Sequence, residues 1–225
     1  VIDFPVVMKA FLRADPDIIM VGEMRDAETT HIGIEASLTG HLVFATLHTN
    51  SAPEAVIRLL DMGMDPFNFA DALLGILAQR LAKRLCGKCK ETYTPDAEEL
   101  KQFMTEYTVD LRQTEPWKKD PQGEAKKMYD YWLKEYGKDG KLAFFRSKGC
   151  DTCGGTGYKG RVGLHELMVA SEAVKKMVQE KARVADLFVK CVEEGRASSN
   201  MADMEKVMMG VTDRIVVLEF GQRIA

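Results

Sequence analysis

The hydrophobic positions of the first eighty residues change period several times, and each change marks an element. Val6, Val7, Ala10 and Phe11 fall at helical spacing, whereas residues 18–22 form an unbroken apolar run between Asp17 and Glu23. Runs of that length suit a strand buried on both faces, and hence a parallel sheet. Asp26 stands where it can N-cap a following helix, and Gly40 where it can close one, because a side-chain oxygen satisfies the first free N–H groups and glycine takes the left-handed exit. A second apolar strand is expected over residues 42–47, running into His48. Ser51 and Glu54 form a capping box with Pro53 in the first turn, opening a helix that ends at Gly63. Asp65-Pro66 starts another, with Phe67, Ala70, Leu73, Leu74, Leu77 and Leu81 on one stripe. Strand, helix, strand, helix, helix reads as a doubly wound α/β fragment.

The texture changes at Cys86. Residues 94–142 are polar, with helical patterns around 96–104 and 124–136 and a turn-rich centre at 115–123. They read as an insertion between two cysteine pairs. A short strand is expected at 161–169, after which Ser171 caps a helical pattern that runs to Val192 with a break near Arg183. A last helical piece covers 202–209 and ends at Gly210. Three parts follow: 1–82, 83–169 carrying the 94–142 insertion, and 170–225.

Charge adds one feature. The formal net charge of −3 argues against broad nucleic-acid binding. Residues 1–78 hold four basic residues against eleven acidic ones, whereas residues 79–90 hold five basic residues and no acidic one. That basic stretch is either a solvated element end or a contact for a phosphate or an acidic neighbour. No apolar run reaches the roughly 18 residues a bilayer span needs. The N-terminus has no signal-peptide pattern and no initiator Met, so the chain is read as part of a longer cytoplasmic protein.

Two features carry chemistry. Cys86/Cys89 and Cys150/Cys153 form two C-x-x-C pairs, and four thiolates suit a closed tetrahedral zinc site of structural type. Disulfides are the competing reading, disfavoured where no secretory signal exists. Cys191 lies on an apolar helical stripe and reads as a small core residue. The sequence around Cys150 and Cys153 also fits one C-x-x-C-x-G-x-G repeat of J-domain chaperones, but that pattern occurs once and the first pair does not fit it. The second feature is the pair of strand ends, one delivering Glu23 and the other His48. A carboxylate directly after a buried strand is what a site needs to hold magnesium or polarise water beside a triphosphate. Capping of the next helix is the plain alternative for Glu23. Arg13, Arg25 and Asp26 stand close by in sequence.

LRADPDIIMVGEMRDAETT resembles the Walker B region of the secretion ATPase superfamily, and TGHLVFATLHTNSAPEAVIRL its histidine box. LAQRLAKRLCGKC and GCDTCGGTGYKGRVGLHELM are similar to its tetracysteine zinc module and the strand after it. The resemblance runs from about Leu12 to Val169, the 94–142 insertion excepted. It implies a RecA-like P-loop NTPase core fragment over 1–82, a zinc module over 83–169 and a small helical C-terminal region over 170–225. It further implies a hexameric cytoplasmic motor, peripheral to the inner membrane, that uses ATP and Mg2+ to drive type II secretion or type IV pilus assembly against an inner-membrane platform protein. By position, Glu23 is the Walker B glutamate and His48 the second histidine of the box, placed near the γ-phosphate. Arg25 and Asp26 match the family's Arg-Asp after Walker B, and Arg13 an arginine ahead of the strand. His41 matches the first histidine, with a structural role expected. Cys86, Cys89, Cys150 and Cys153 match the ligands of a structural Zn2+. Pilus-retracting members generally lack this module, which favours secretion or extension.

Two departures shape the expectation. No G-x-x-x-x-G-K-[ST] occurs in the sequence, so the phosphate cradle is expected upstream of Val1, and this chain alone is not expected to hydrolyse ATP. Residues 194–204 replace the family's Gly-Met-Arg-Thr-Leu-like turn, and no function is carried onto them. The alternative is a zinc-stabilised interaction module without nucleotide turnover.

Overall fold

The computed structural model describes residues 3–195 and 198–221. Chain order begins with α1 (Phe4–Leu12), β1 (Ile18–Val21), α2 (Ala27–Leu38), β2 (Leu42–Ala45), α3 (Ala52–Asp61), α4 (Pro66–Ala72) and β3 (Gly75–Leu85). It continues with β4 (Glu91–Tyr93), α5 (Ala97–Tyr107), α6 (Glu115–Lys119), α7 (Pro121–Tyr136), β5 (Phe144–Arg146) and β6 (Tyr158–Val169). The end of the chain holds α8 (Glu172–Gln179), α9 (Val184–Glu193), α10 (Ser199–Met208) and α11 (Arg214–Gly221). The chain divides into two compact units, Val1–Ala78 with Leu167–Cys191, and Gln79–Glu166 with Val192–Ala225. This division cuts across the 1–82, 83–169 and 170–225 parts read from the sequence, because α8 and most of α9 pack with the first unit and α10 and α11 with the second.

In the first unit β1 and β2 run parallel, with Ile18 opposite Leu42 and Val21 opposite Ala45. Ile19 and Val21 are buried with Met8, Ile32 and Ala36 of the flanking helices and with Met24 in the segment between β1 and α2. The expectation of a strand buried on both faces fails here: Ile18 is 59% and Met20 79% exposed. Successive strand side chains point to opposite faces, and the helices of this unit cover only one. The caps are those the sequence prescribes. Asp26, Ser51 and Asp65 each accept from backbone N–H groups of the helix they open, and Gly40 and Gly63 take positive φ after α2 and α3. A second core joins Val56, Leu59, Phe69 and Leu73 to Met168, Val174, Val178 and Leu187.

One expected helix is shorter than its apolar stripe. The apolar stripe from Phe67 to Leu81 is helical only to Ala72; Leu73 turns to an extended backbone, and β3 pairs with β6 instead. A side chain at Gly75 would put its Cβ 2.9 Å from the Met168 carbonyl oxygen, so the glycine permits the close approach of the two strands.

The second unit is built on the insertion. Phe103, Tyr107, Trp132 and Phe144 are buried with Met204, Val207 and Met208, and the Phe103 ring lies 5.4 Å from Trp132 and 4.6 Å from Phe144, centroid to centroid. β4 and β5 pair antiparallel with Glu91 opposite Arg146. The turn-rich centre expected at 115–123 holds α6 and the start of α7, with Pro116 and Pro121 in their first turns, where proline is tolerated. The last expected helix begins at Ser199 rather than Ala202, and α11 follows it.

Candidate functional site

β1 and β2 stop side by side, and the residues that leave them carry the polar chemistry. One step past the last pair, the Thr46 hydroxyl donates to the Gly22 carbonyl, and the Met24 N–H donates to the Thr46 carbonyl at 3.0 Å. Glu23 lies between those two bonds. Its side chain is 19% exposed, with Oε1 3.1 Å from His48 Nε2 and Oε2 accepting from Arg25 Nε. One carboxylate therefore holds an imidazole and a guanidinium on separate oxygens.

The other expected site residues are placed differently. Asp26 turns into α2: Oδ1 accepts the Thr29 N–H and Oδ2 the Thr29 hydroxyl, both at 2.7 Å. Those bonds, the backbone one foremost, hold its carboxyl below the ordinary range. Arg13 is the C-cap of α1 and makes no ion pair with Glu23 or Asp26. His41 fixes the end of α2, with Nδ1 3.0 Å from the Ala36 carbonyl oxygen, so that nitrogen carries the proton. Thr46 had no place among the expected site residues. The signal was available, since it stands one residue past β2 as Gly22 does past β1.

The cysteines converge in the second unit. Sγ atoms of Cys86 and Cys150 are 3.9 Å apart, those of Cys89 and Cys153 3.8 Å, and those of Cys150 and Cys153 3.7 Å. All four ligand atoms lie within 4.8 Å of one another, and no other such group of metal-type side chains occurs among the described residues. All five cysteines are free of disulfides. Each pair sits on a tight knuckle: the Cys89 and Lys90 N–H groups donate to the Cys86 carbonyl, and the Cys153 and Gly155 N–H groups to the Cys150 carbonyl. Cys153 Sγ also accepts from the N–H groups of Cys150 and Gly157, each at 3.2 Å. Burial pushes the Cys89 thiol up to about 12. Burial acts the same way on Cys153, but the N–H groups of Cys150 and Gly157 outweigh it and bring that thiol down to about 6.

The family model described as "Type II/IV secretion system protein" matches residues 1–219. The chain belongs to that family. Among its relatives, the type II secretion system ATPase E of Vibrio cholerae is 39% identical over 205 residues, covering 91% of this chain and 34% of the relative. The type IV pilus assembly ATPase PilB of Thermus thermophilus is 38% identical over 206 residues, covering 91% of this chain and 20% of the relative. The chain thus spans about a third of the first of these curated relatives and a fifth of the second. Among solved structures, the Legionella pneumophila ATPase DotB superposes with a TM-score of 0.59 at 20% identity, over 98% of this chain and 42% of that one. The pilus retraction motor PilT with bound ADP gives 0.56 at 22% identity, over 96% and 43%. At such identities these two establish the fold alone, the α/β, RecA-like fold of secretion ATPases. Within this type II/IV secretion family chain, the Glu23 pair and the four sulfurs lie in separate compact units.

Proposed function

We propose that this chain carries the Glu23–His48 half of a nucleotide site in a cytoplasmic motor ATPase that drives type II protein secretion or type IV pilus assembly. The observation that carries the reading is the carboxylate–imidazole pair held at adjacent ends of parallel strands, where open α/β sheets bind ligands, in a chain of this family. ATP is the substrate, and magnesium bound with it supplies neutralisation of charge on the phosphates. Glu23 is the residue for the metal side and for taking the proton of the attacking water. An ionised carboxylate offers about four lone-pair positions, so the contacts to His48 and Arg25 leave acceptor capacity on both oxygens. His48 faces the γ-phosphate, Arg25 and Arg13 add positive charge, and Asp26 supports the site by fixing the start of α2. The relatives that match are ATPases of secretion and pilus systems, which disfavours the binding-module reading.

Cys86, Cys89, Cys150 and Cys153 hold a structural zinc in the same proposal. Sulfurs about 2.3 Å from a tetrahedral zinc stand about 3.8 Å from one another; three of the six separations, 3.7, 3.8 and 3.9 Å, fit that value, and all six lie within 4.8 Å. The full-length working form is a homo-hexamer, acting against an inner-membrane platform protein without nucleic acid and peripheral to the inner membrane. No helix among the described residues is long and apolar enough to cross a membrane.

ATP turnover by the full-length protein tests the reading. Glu23→Gln is expected to lower kcat by about a hundredfold or more, the scale of a general base. Full turnover in that variant would refute the role of Glu23. This sequence contains no Gly-Lys-Thr/Ser phosphate loop, so the chain by itself is expected to show no magnesium-dependent turnover.

A further inference from the structure

We infer that Thr46 is a positioning residue that sets the separation of Glu23 and His48; the inference rests on the reading of that pair as the reacting one. The β1–β2 ladder ends at Val21 and Ala45, and beyond it nothing in the parallel pattern fixes how the two exits diverge. Thr46 supplies the missing tie twice. Its hydroxyl donates to the Gly22 carbonyl, and its carbonyl accepts the Met24 N–H. The backbone of Glu23 is thereby anchored on both sides, at the residue before it and at the residue after it. On the other strand the anchor is two residues ahead of His48. Thr46 to Gly22, Glu23 to His48, and the backbone from Thr46 to His48 close a small ring, and the 3.1 Å contact between Glu23 and His48 is one of its sides.

Packing does not account for this arrangement. Thr46 is exposed, so water is available to its hydroxyl and desolvation does not force the bond to Gly22. The apolar neighbours that bury the strand, Ile19, Val21, Val43 and Leu47, are other residues. The hydroxyl is thus separable from the core. Valine keeps the β-branched shape that suits a strand and both main-chain groups, and removes only the O–H donor. Serine keeps the donor.

Turnover of the full-length protein and amide exchange of this chain test the inference together. Thr46→Val is expected to lower kcat about tenfold, since small misplacements at a reacting centre carry large rate penalties, while KM for ATP stays within about twofold, the sign of an interaction that acts in the transition state. Thr46→Ser is expected to restore kcat. Wild-type kcat in Thr46→Val, a rise in KM instead, or equal loss in both variants would overturn the proposal. If Glu23→Gln keeps turnover, the reaction reading falls on its own. The clamp is then judged on this chain, where Thr46→Val should speed exchange of the Met24 amide about fivefold, the scale of one lost hydrogen bond, and Thr46→Ser should not. Unchanged exchange at Met24 would show that the hydroxyl clamps nothing.

Discussion

Asp203 is a carboxyl group in the wrong surroundings, and replacing it should stabilise the chain in a pH-dependent way. It lies on α10 with 6% of its surface exposed, and Oδ1 has no hydrogen-bond partner. Burial raises its pKa from 3.8 to about 7, and the positive charge of Arg80 pulls only weakly the other way. In the unfolded chain the group ionises near 3.8, so between about pH 4 and pH 7 the folded state binds more protons than the unfolded state. The stability this group allows is therefore complete below about pH 4, is lost as pH rises towards 7, and stays lost above that. A displacement from 3.8 to about 7 sets a ceiling of about 4 kcal/mol. Asp203→Asn keeps the shape and cannot ionise, but it adds an N–H2 group whose unmet bonds cost about 1–3 kcal/mol and gives up the attraction of Arg80. The expected net gain is about 1–2 kcal/mol near pH 8; near pH 4, where the opposing titration is almost absent, the cost of the amide stands alone as a loss of about 2–3 kcal/mol. Urea unfolding of wild type and variant at both pH values measures this, and comparing variant with wild type at each pH cancels the other titrating groups. Equal effects at the two pH values, or a variant less stable at pH 8, would refute the reasoning.

Two further outcomes follow from the second unit. Elemental analysis should find about one zinc per chain, and Cys150→Ser should lower both zinc content and Tm, because binding free energy at such a site is folding free energy; an apo chain that melts like the holo chain would sink the structural-zinc reading. Phe103, fully buried between Trp132 and Phe144, should cost about 3–5 kcal/mol on truncation to alanine, measured by denaturant unfolding, and a loss below about 1 kcal/mol would mean that this aromatic cluster does not hold the unit together.

What was legible in the sequence was what depends on neighbours a few residues away. Asp26, Ser51 and Asp65 announce helix starts because a cap needs only a side-chain oxygen and the next turn's N–H groups. β3 was misread for a physical reason. Leu77 and Leu81 are four residues apart, which places them on one face of a helix and equally on one face of a strand. Gly75, which weakens a helix and permits the close approach of β6, is a local sign, but the pairing with β6, some ninety residues on, decides between the two and leaves none. Burial of β1 was misjudged similarly, since Ile18 and Met20 are as apolar as Ile19 and Val21 and only tertiary cover separates them. At the strand ends Glu23 and His48 were visible as residue types in a pattern. Asp26 was visible too, but its two oxygens are occupied by Thr29, and no pattern distinguishes a cap from a site carboxylate in advance. The Thr46 clamp is a side-chain to main-chain bond across strands, which hydrophobic periodicity does not encode.

The sixty-residue gap between the cysteine pairs is the feature the fold explains best. β4 begins two residues after Cys89, and β5 ends four residues before Cys150, so the antiparallel pairing of Glu91 with Arg146 draws the two knuckles together. Glu91 reinforces that base, with Arg146 Nη2 at 3.3 Å and Lys148 Nζ at 2.6 Å. Everything between, from α5 to α7, is a loop whose ends are already closed. The entropic cost of closing a loop grows only logarithmically with its length, so once β4 and β5 zip the base, the length of the insert hardly matters to the sulfurs. The insert meets the remaining cost with buried aromatics of its own, Phe103 and Trp132, which pack on Phe144 of β5. On this argument the four sulfurs and the β4–β5 pair form one structural element, and the insertion can change length without moving it as long as Phe103 still covers Phe144.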